Sequence, residues 1–285
     1  MKDLNGRTAI VTGASRGLGV YIARGLASRG MNLVLAARSA DAIGALSQDL
    51  SAHGHRAIAV PTDVVQREHL EGLVERTLAE FGTIDVLVNN AGLEAVYHYH
   101  KLPLAEVDQV IDVNLRAPMH LTSMVLPGML ERRRGHIVNI SSLAGKAGPA
   151  CAEPYAATKA GLIGFTQSLR ASYRAEGVSA SVICPGFVSG AGMYARAKEQ
   201  YGREAPRMLG QSTPEAVARA VLKAIEDDLP EVIVNPAPVR PLLGLAATAP
   251  GLAEKISRFF DANSLFKEQA ALRERERSQE PPSPR

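Results

Sequence analysis

A short β-branched run, Arg7–Thr12, stops at Gly13-Ala14-Ser15-Arg16-Gly17-Leu18-Gly19, and a helical pattern follows at once to about Gly30. This is the feature that most narrows the fold. Strand, glycine turn and helix in that order place a tight turn at the carboxyl end of a strand. The glycines let a bound pyrophosphate approach backbone N–H groups at the helix N-terminus. The spacing is GxxxGxG rather than the GxGxxG of the common dinucleotide fingerprint, so the turn alone reads equally well as structural.

The unit then repeats. Met31–Ala37 is a second, largely apolar strand, Ala40–Ala52 a helix, and Arg56–Val60 a third strand. Gln66–Phe81 spaces Leu70, Leu73, Val74, Thr77 and Leu78 as one helical face, and Ile84–Asn89 is a fourth strand running into Asn90-Ala91-Gly92. Leu104–Arg134 is helical, with Pro118 and Pro127 implying a kink or interruption. Its Asn114 needs partners, either as a bridge in the core or as part of a site. His136–Ser141, Val178–Cys184 and Glu231–Asn235 supply strands five to seven. Such alternation predicts an α/β chain: one doubly wound domain of about seven parallel strands flanked by helices, with ligands at the strands' carboxyl ends.

Charge at those ends points to a phosphorylated dinucleotide. Where NAD-binding folds place an acidic residue after the second strand, this chain has Ala37-Arg38-Ser39. An arginine suits a 2′-phosphate and does nothing useful for a bare hydroxyl. Arg16 lies near a helix N-terminus, where the macrodipole disfavours a cation without an anionic partner. Together they predict NADP(H). Asp63-Val64 is placed to meet the adenine end, and a capping role for Asp63 at the following helix is the alternative.

Tyr155 and Lys159 stand four residues apart in an alanine-rich helix, Ala152–Glu176, and so share a face. Ala156, Ala160 and Gly164 form a small-residue row on it, suited to a subunit interface or to a tight internal contact. Ser142 follows the fifth strand, either as a catalytic hydroxyl or as a turn cap. Tyr97-His98-Tyr99-His100 reads as an exposed loop, and no metal site is expected from two histidines without carboxylates. The two cysteines, Cys151 and Cys184, have neither disulfide nor metal spacing, which fits a reducing, cytoplasmic setting. A net charge of +3 and the absence of Trp argue against nucleic acid as a partner. No apolar run is long enough to span a bilayer.

In order and spacing, Thr12–Gly19, Asn89–Gly92, Asn114, Ser142, Tyr155-xxx-Lys159 and Pro185-Gly186 resemble the short-chain dehydrogenase/reductase family over about residues 5 to 235. The resemblance implies a Rossmann-type fold and an NADP(H)-dependent oxidoreductase acting on a carbonyl or secondary alcohol, with Asn114, Ser142, Tyr155 and Lys159 as the catalytic set. It places the cofactor on Gly13, Ser15, Arg16, Gly17, Leu18, Gly19, Arg38, Ser39, Asp63, Val64, Asn90, Ala91, Gly92, Tyr155, Lys159, Pro185, Gly186 and Val188. Lys159 would bind the nicotinamide ribose, and Asn114 a water linking Lys159 to solvent. The chain departs from the pattern at Gly190, where the family often has a threonine for the nicotinamide carboxamide, and Ser189 stands beside it as an imperfect substitute. At ~5 Å and an effective dielectric near 20, Lys159 would lower the Tyr155 pKa to about 8.

Substrate choice is expected to lie in 189–210, a cover carrying Met193, Tyr194, Tyr201, Met208 and Leu209 among Arg196, Arg203 and Arg207. An apolar, medium-sized or lipid-like substrate fits that composition. A 3-oxoacyl-carrier-protein-type reductase and an NADPH-binding regulator without turnover are the alternatives. Three regions are expected: a catalytic domain over 1–235, a helical extension over 236–266, and a charged, Pro-ending tail over 267–285 that is frayed, partly helical or disordered. The extension, with Leu252, Ile256 and Phe259 at helical spacing, would dock on the body, cover the substrate mouth, join subunits or touch a membrane surface. A homodimer or homotetramer is expected.

Overall fold

The computed structural model describes residues 1–202, 210–259 and 263–279. Arg203, Arg207, Met208 and Leu209 of the expected cover, the Pro281–Pro284 ending, and the side chains of Ile256 and Phe259 lie outside what is described. Seven strands form one sheet: β1 (Thr8–Thr12), β2 (Asn32–Ala37), β3 (Ala57–Pro61), β4 (Val86–Asn89), β5 (Gly135–Ile140), β6 (Val178–Pro185) and β7 (Glu231–Val234). Their order is β3-β2-β1-β4-β5-β6-β7, and every neighbouring pair is parallel. Connections leave β1 toward β2 on one side and return to β4 on the other. That reversal opens a crevice at the carboxyl ends of β1 and β4.

The central strands are continuous apolar runs because helices cover both faces. On one face α1 (Leu18–Ala27) and α2 (Ala40–Ala52) bury Ile22, Leu26, Ile43 and Leu50, beside Val217, Val221 and Ile225 from Pro214–Glu226. On the other face α3 (Arg67–Phe81) brings Leu70 and Leu73. Each such side chain contributes about 1.5–3 kcal/mol of burial. A fully buried polar ladder also crosses the sheet: Asn89 Nδ2 donates to Asn139 Oδ1 at 2.8 Å, and Asn139 Nδ2 to Thr166 Oγ1 at 2.9 Å.

The long helical region is α4 (Leu104–Ile111), a π turn over Asp112–Arg116, and α5 (Ala117–Glu131). The expected interruption is this π turn, which ends two residues before Pro118. The backbone stays helical from Ile111 to Ala117, so Pro118 lacks an N–H within a continuous helix, and Pro127 is held inside α5. The extra residue of the π turn falls around Asn114, a common signature of a functional position. Next come α6 (Glu153–Tyr173), α7 (Gly192–Tyr201) and α8 (Pro214–Glu226), the last capped by the Thr213 hydroxyl. Ala160 and Gly164 of the small row are exposed.

The C-terminal region folds as α9 (Arg240–Thr248), α10 (Pro250–Phe259) and α11 (Ser264–Gln279). Of the readings of the tail, the partly helical one describes residues 267–279, and α11 runs across the expected boundary at 266. Leu265, Gln269 and Ala270 are buried. Beyond them, Glu274 accepts from Lys101 Nζ at 2.9 Å and pairs with His98 Nδ1 at 2.7 Å, while Arg277 meets Glu106 at 2.7 Å. The Arg273 guanidinium lies 4.9 Å from the Tyr97 ring centre. The Tyr97–His100 loop, expected to be exposed, is therefore half a docking surface: Tyr97 is buried, while Tyr99 and His100 stay in solvent.

Candidate active site

The glycine turn is built by close approach. A Cβ on Gly19 would stand 2.3 Å from the Gly13 carbonyl oxygen. One on Gly13, whose φ is +67°, would meet the Ala91 Cα at 2.9 Å. Only glycine lets the turn pack against both α1 and the end of β4. Asn90 locks that contact, with Nδ2 donating to the Thr12 carbonyl at 2.9 Å and the Asn90 and Ala91 N–H groups reaching Thr12 Oγ1 at 3.0 and 3.1 Å. The Asn90 side chain thus holds the turn in shape. The N-terminus of α7 closes over it: a Cβ on Gly17 would meet the Gly192 Cα at 3.3 Å.

A continuous cavity of about 1470 Å³ runs from this turn across the carboxyl ends of the strands. Of the residues expected to hold cofactor or do chemistry, all line it except Gly19, which shapes the turn from behind, and Asn114. Arg16 and Arg38 are exposed at one end, and Ser142, Tyr155 and Lys159 form the wall farther in. The glycine cradle, the free amides of the first turn of α1 and two arginines fit a phosphorylated dinucleotide. Asp63 is not a helix cap; its Oδ1 accepts from Val65 N–H at 3.3 Å and shapes the turn beside the cavity.

Lys159 is 3% exposed, and its ammonium donates to the Ile140 carbonyl at 2.8 Å. Burial pulls its pKa down to about 8. Tyr155 behaves oppositely to the expectation of a phenol lowered toward 8. Burial pushes its pKa up, the Glu94 carboxylate adds to the rise, and a hydrogen bond with Ser142 opposes it. The expectation failed because it counted the lysine and omitted desolvation, which disfavours the phenolate first. The Asn114 side chain is fully engaged by the protein: its Oδ1 accepts from the Leu93 N–H at 2.7 Å, and its Nδ2 donates to the Leu93 carbonyl at 2.8 Å and to Thr158 Oγ1 at 3.2 Å. An amide so committed positions the 92–94 segment. The Ser189 hydroxyl faces the Ser212 carbonyl at 3.2 Å and does not line the cavity, so it does not replace the missing threonine.

Two groups of lining residues carried no signal in the sequence. Glu94 lies two residues past Gly92 in no recognisable pattern. Leu242, Leu243, Leu265 and Phe266 come from the C-terminal helices, whose destination the chain alone leaves open. Phe187 joins Phe266 and Tyr194 in an aromatic group, with ring centres 6.1 and 4.9 Å away. Among the described residues no group of three or more metal-ligating side chains occurs, and no helix is long and apolar enough to cross a membrane.

The family model described as short chain dehydrogenase matches residues 7–202. The ketoacyl reductase HetN of Nostoc sp. is 43% identical over 265 residues, covering 91% of this chain and 91% of its own. The 3-oxoacyl-acyl-carrier-protein reductase FabG of Escherichia coli is 37% identical over 186 residues, 65% of this chain and 75% of its own. A crystal structure of a metagenomic short-chain oxidoreductase in complex with NADP superposes with a TM-score of 0.70 at 34% identity, over 82% of this chain and 98% of that one. The actinorhodin polyketide ketoreductase with NADPH gives a TM-score of 0.76 at 30% identity, over 84% and 98%.

Proposed function

The chain belongs to the short-chain dehydrogenase family, and on that premise we propose that it is an NADP(H)-dependent oxidoreductase. It moves hydride between the nicotinamide and a carbonyl or secondary alcohol bearing an apolar chain, with Tyr155 as the proton-transferring group. The observation that carries this reading is the single cavity that holds the glycine turn, Arg16 and Arg38 at one end and Ser142, Tyr155 and Lys159 in its wall. Its volume of about 1470 Å³ exceeds the roughly 300–1,000 Å³ typical of one ligand, which leaves room for a dinucleotide and a second molecule. Leu242, Leu243, Leu265 and Phe266 give part of the remainder an apolar wall.

The first-turn amides of α1 would hold the pyrophosphate, and Arg16 and Arg38 the 2′-phosphate. When bound, the nicotinamide supplies the hydride. Tyr155, with its pKa raised by burial, keeps its proton near neutrality and is set up to donate it to a carbonyl oxygen when the enzyme runs as a reductase. Ser142 hydrogen-bonds the phenol and holds the same oxygen. Lys159 stabilises the phenolate once the proton has left, and the low dielectric around it strengthens that effect.

A 3-oxoacyl substrate is the second reading. The compact Escherichia coli FabG matches two thirds of the chain, whereas the HetN match extends across most of the C-terminal region, so length is no objection to it. The exposed Ala160 and Gly164 leave room for a second copy, which supports a homodimer or homotetramer. NADPH oxidation measured against ketones and 3-oxoacyl thioesters of rising chain length tests the proposal. Turnover that improves with chain length is expected. Tight NADPH binding with no turnover on any carbonyl would contradict it and favour a regulator.

A further inference from the structure

Glu94 is a carboxyl group with no assigned work. It lines the cavity that contains Tyr155 and Ser142, and it accepts no hydrogen bond and joins no ion pair within 4 Å among the described residues. Its aim is not accidental. Asn114 grips both backbone polar groups of the preceding residue, Leu93, at 2.7 and 2.8 Å. Those two bonds, made from a π turn, fix the direction in which the next side chain leaves the backbone. Arg196 of α7 and Arg273 of α11 are the cations whose charge reaches Glu94, and its own charge reaches the Tyr155 phenol. Glu94 is half-buried, and a polar group that lines a cavity without a protein partner usually meets water or a ligand. The cavity it lines is the one in which the proposed carbonyl substrate would react.

We propose that Glu94 is a specificity-determining residue whose carboxyl group hydrogen-bonds a second carbonyl of the substrate, close to the one that receives the Tyr155 proton, as in a 1,3-dicarbonyl. This rests on the ketoreductase reading and refines its substrate class. Burial raises the pKa of Glu94, which favours the neutral acid, and a neutral acid has an O–H to give to a carbonyl oxygen. A substrate with an isolated ketone has nothing for Glu94 to hold and leaves it unpaired.

The test compares a 3-oxoacyl N-acetylcysteamine thioester with a simple methyl ketone of the same chain length, using wild type, Glu94→Gln and Glu94→Leu, each first shown to bind NADPH. Glu94→Leu is expected to lose about 10- to 100-fold in kcat/KM on the thioester and to leave the methyl ketone within about threefold. Glu94→Gln, whose amide can still donate, is expected to recover most of the thioester activity. Equal changes on both substrates would show that Glu94 acts only through the charge of Tyr155, and would overturn the proposal. No change on either would overturn it too. Failure of the wild type on both substrates would instead remove the ketoreductase reading itself, and with it the basis of this inference.

Discussion

The ammonium of Lys159 stands 5.6 Å from the centre of the Tyr155 ring. The lysine is held there at a cost to folding. Its pKa near 8 against an ordinary 10.5 means that burial penalises the charged form by about 3 kcal/mol. The sign follows from proton counts. Between pH 8 and 10.5 the unfolded chain binds the extra proton, so stability rises with pH across that window, and the penalty is full below pH 8. Lys159→Met is therefore expected to be inactive yet about 1–3 kcal/mol more stable at pH 7, measured by urea unfolding of the cofactor-free protein. A variant no more stable than wild type would show that the ammonium is better solvated than its burial implies.

Arg38 is exposed at the end of the cavity beyond β2. Arg38→Asp should raise the KM for NADPH by about 10- to 100-fold, the worth of one charge-assisted contact. NADH use should be little affected or improved. Steady-state kinetics with both cofactors decide it, and an unchanged preference removes the basis for assigning the 2′-phosphate to this residue.

His136, 1% exposed, pairs through Nε2 with Ser181 Oγ at 2.8 Å, and burial lowers its pKa to about 3. Its neutral form contributes stability that is fully present above pH 6.5 and is lost as pH falls toward 3, at up to about 1.4 kcal/mol per pH unit. His136→Asn should flatten the fall in unfolding free energy between pH 6.5 and 4 by about that slope. Parallel curves for the two proteins would contradict the assignment.

Asn114→Leu removes the amide that satisfies both backbone groups of Leu93. Two groups left without partners should lower stability by about 2–4 kcal/mol. Thermal unfolding checks this, and a loss below about 1 kcal/mol would mean that water replaces the amide.

Much of this could be read from the chain because local signals and the fold agreed. The βα alternation, the glycine turn and Tyr155 with Lys159 on one helix face depend on periodicity and backbone freedom, which neighbours in sequence determine. Three things depended instead on residues far apart. The electrostatics of Tyr155 are set by burial and by Glu94, neither visible in a four-residue spacing. Alternating charges made 267–279 look like a solvated tail, yet Glu274, Arg273 and Arg277 find their partners near Tyr97, Lys101 and Glu106, some 170 residues earlier. Asn114 finds its partners in Leu93 and Thr158, 21 and 44 residues away, which the sequence around it does not show.

The account stands or falls on the Tyr155 hydroxyl. The most direct measurement is NADPH-dependent carbonyl reduction by Tyr155→Phe beside wild type, with NADPH affinity measured on both by fluorescence titration. A loss of turnover of at least about 100-fold, with NADPH affinity within about threefold, is the predicted result. Turnover in the variant close to that of wild type would contradict it.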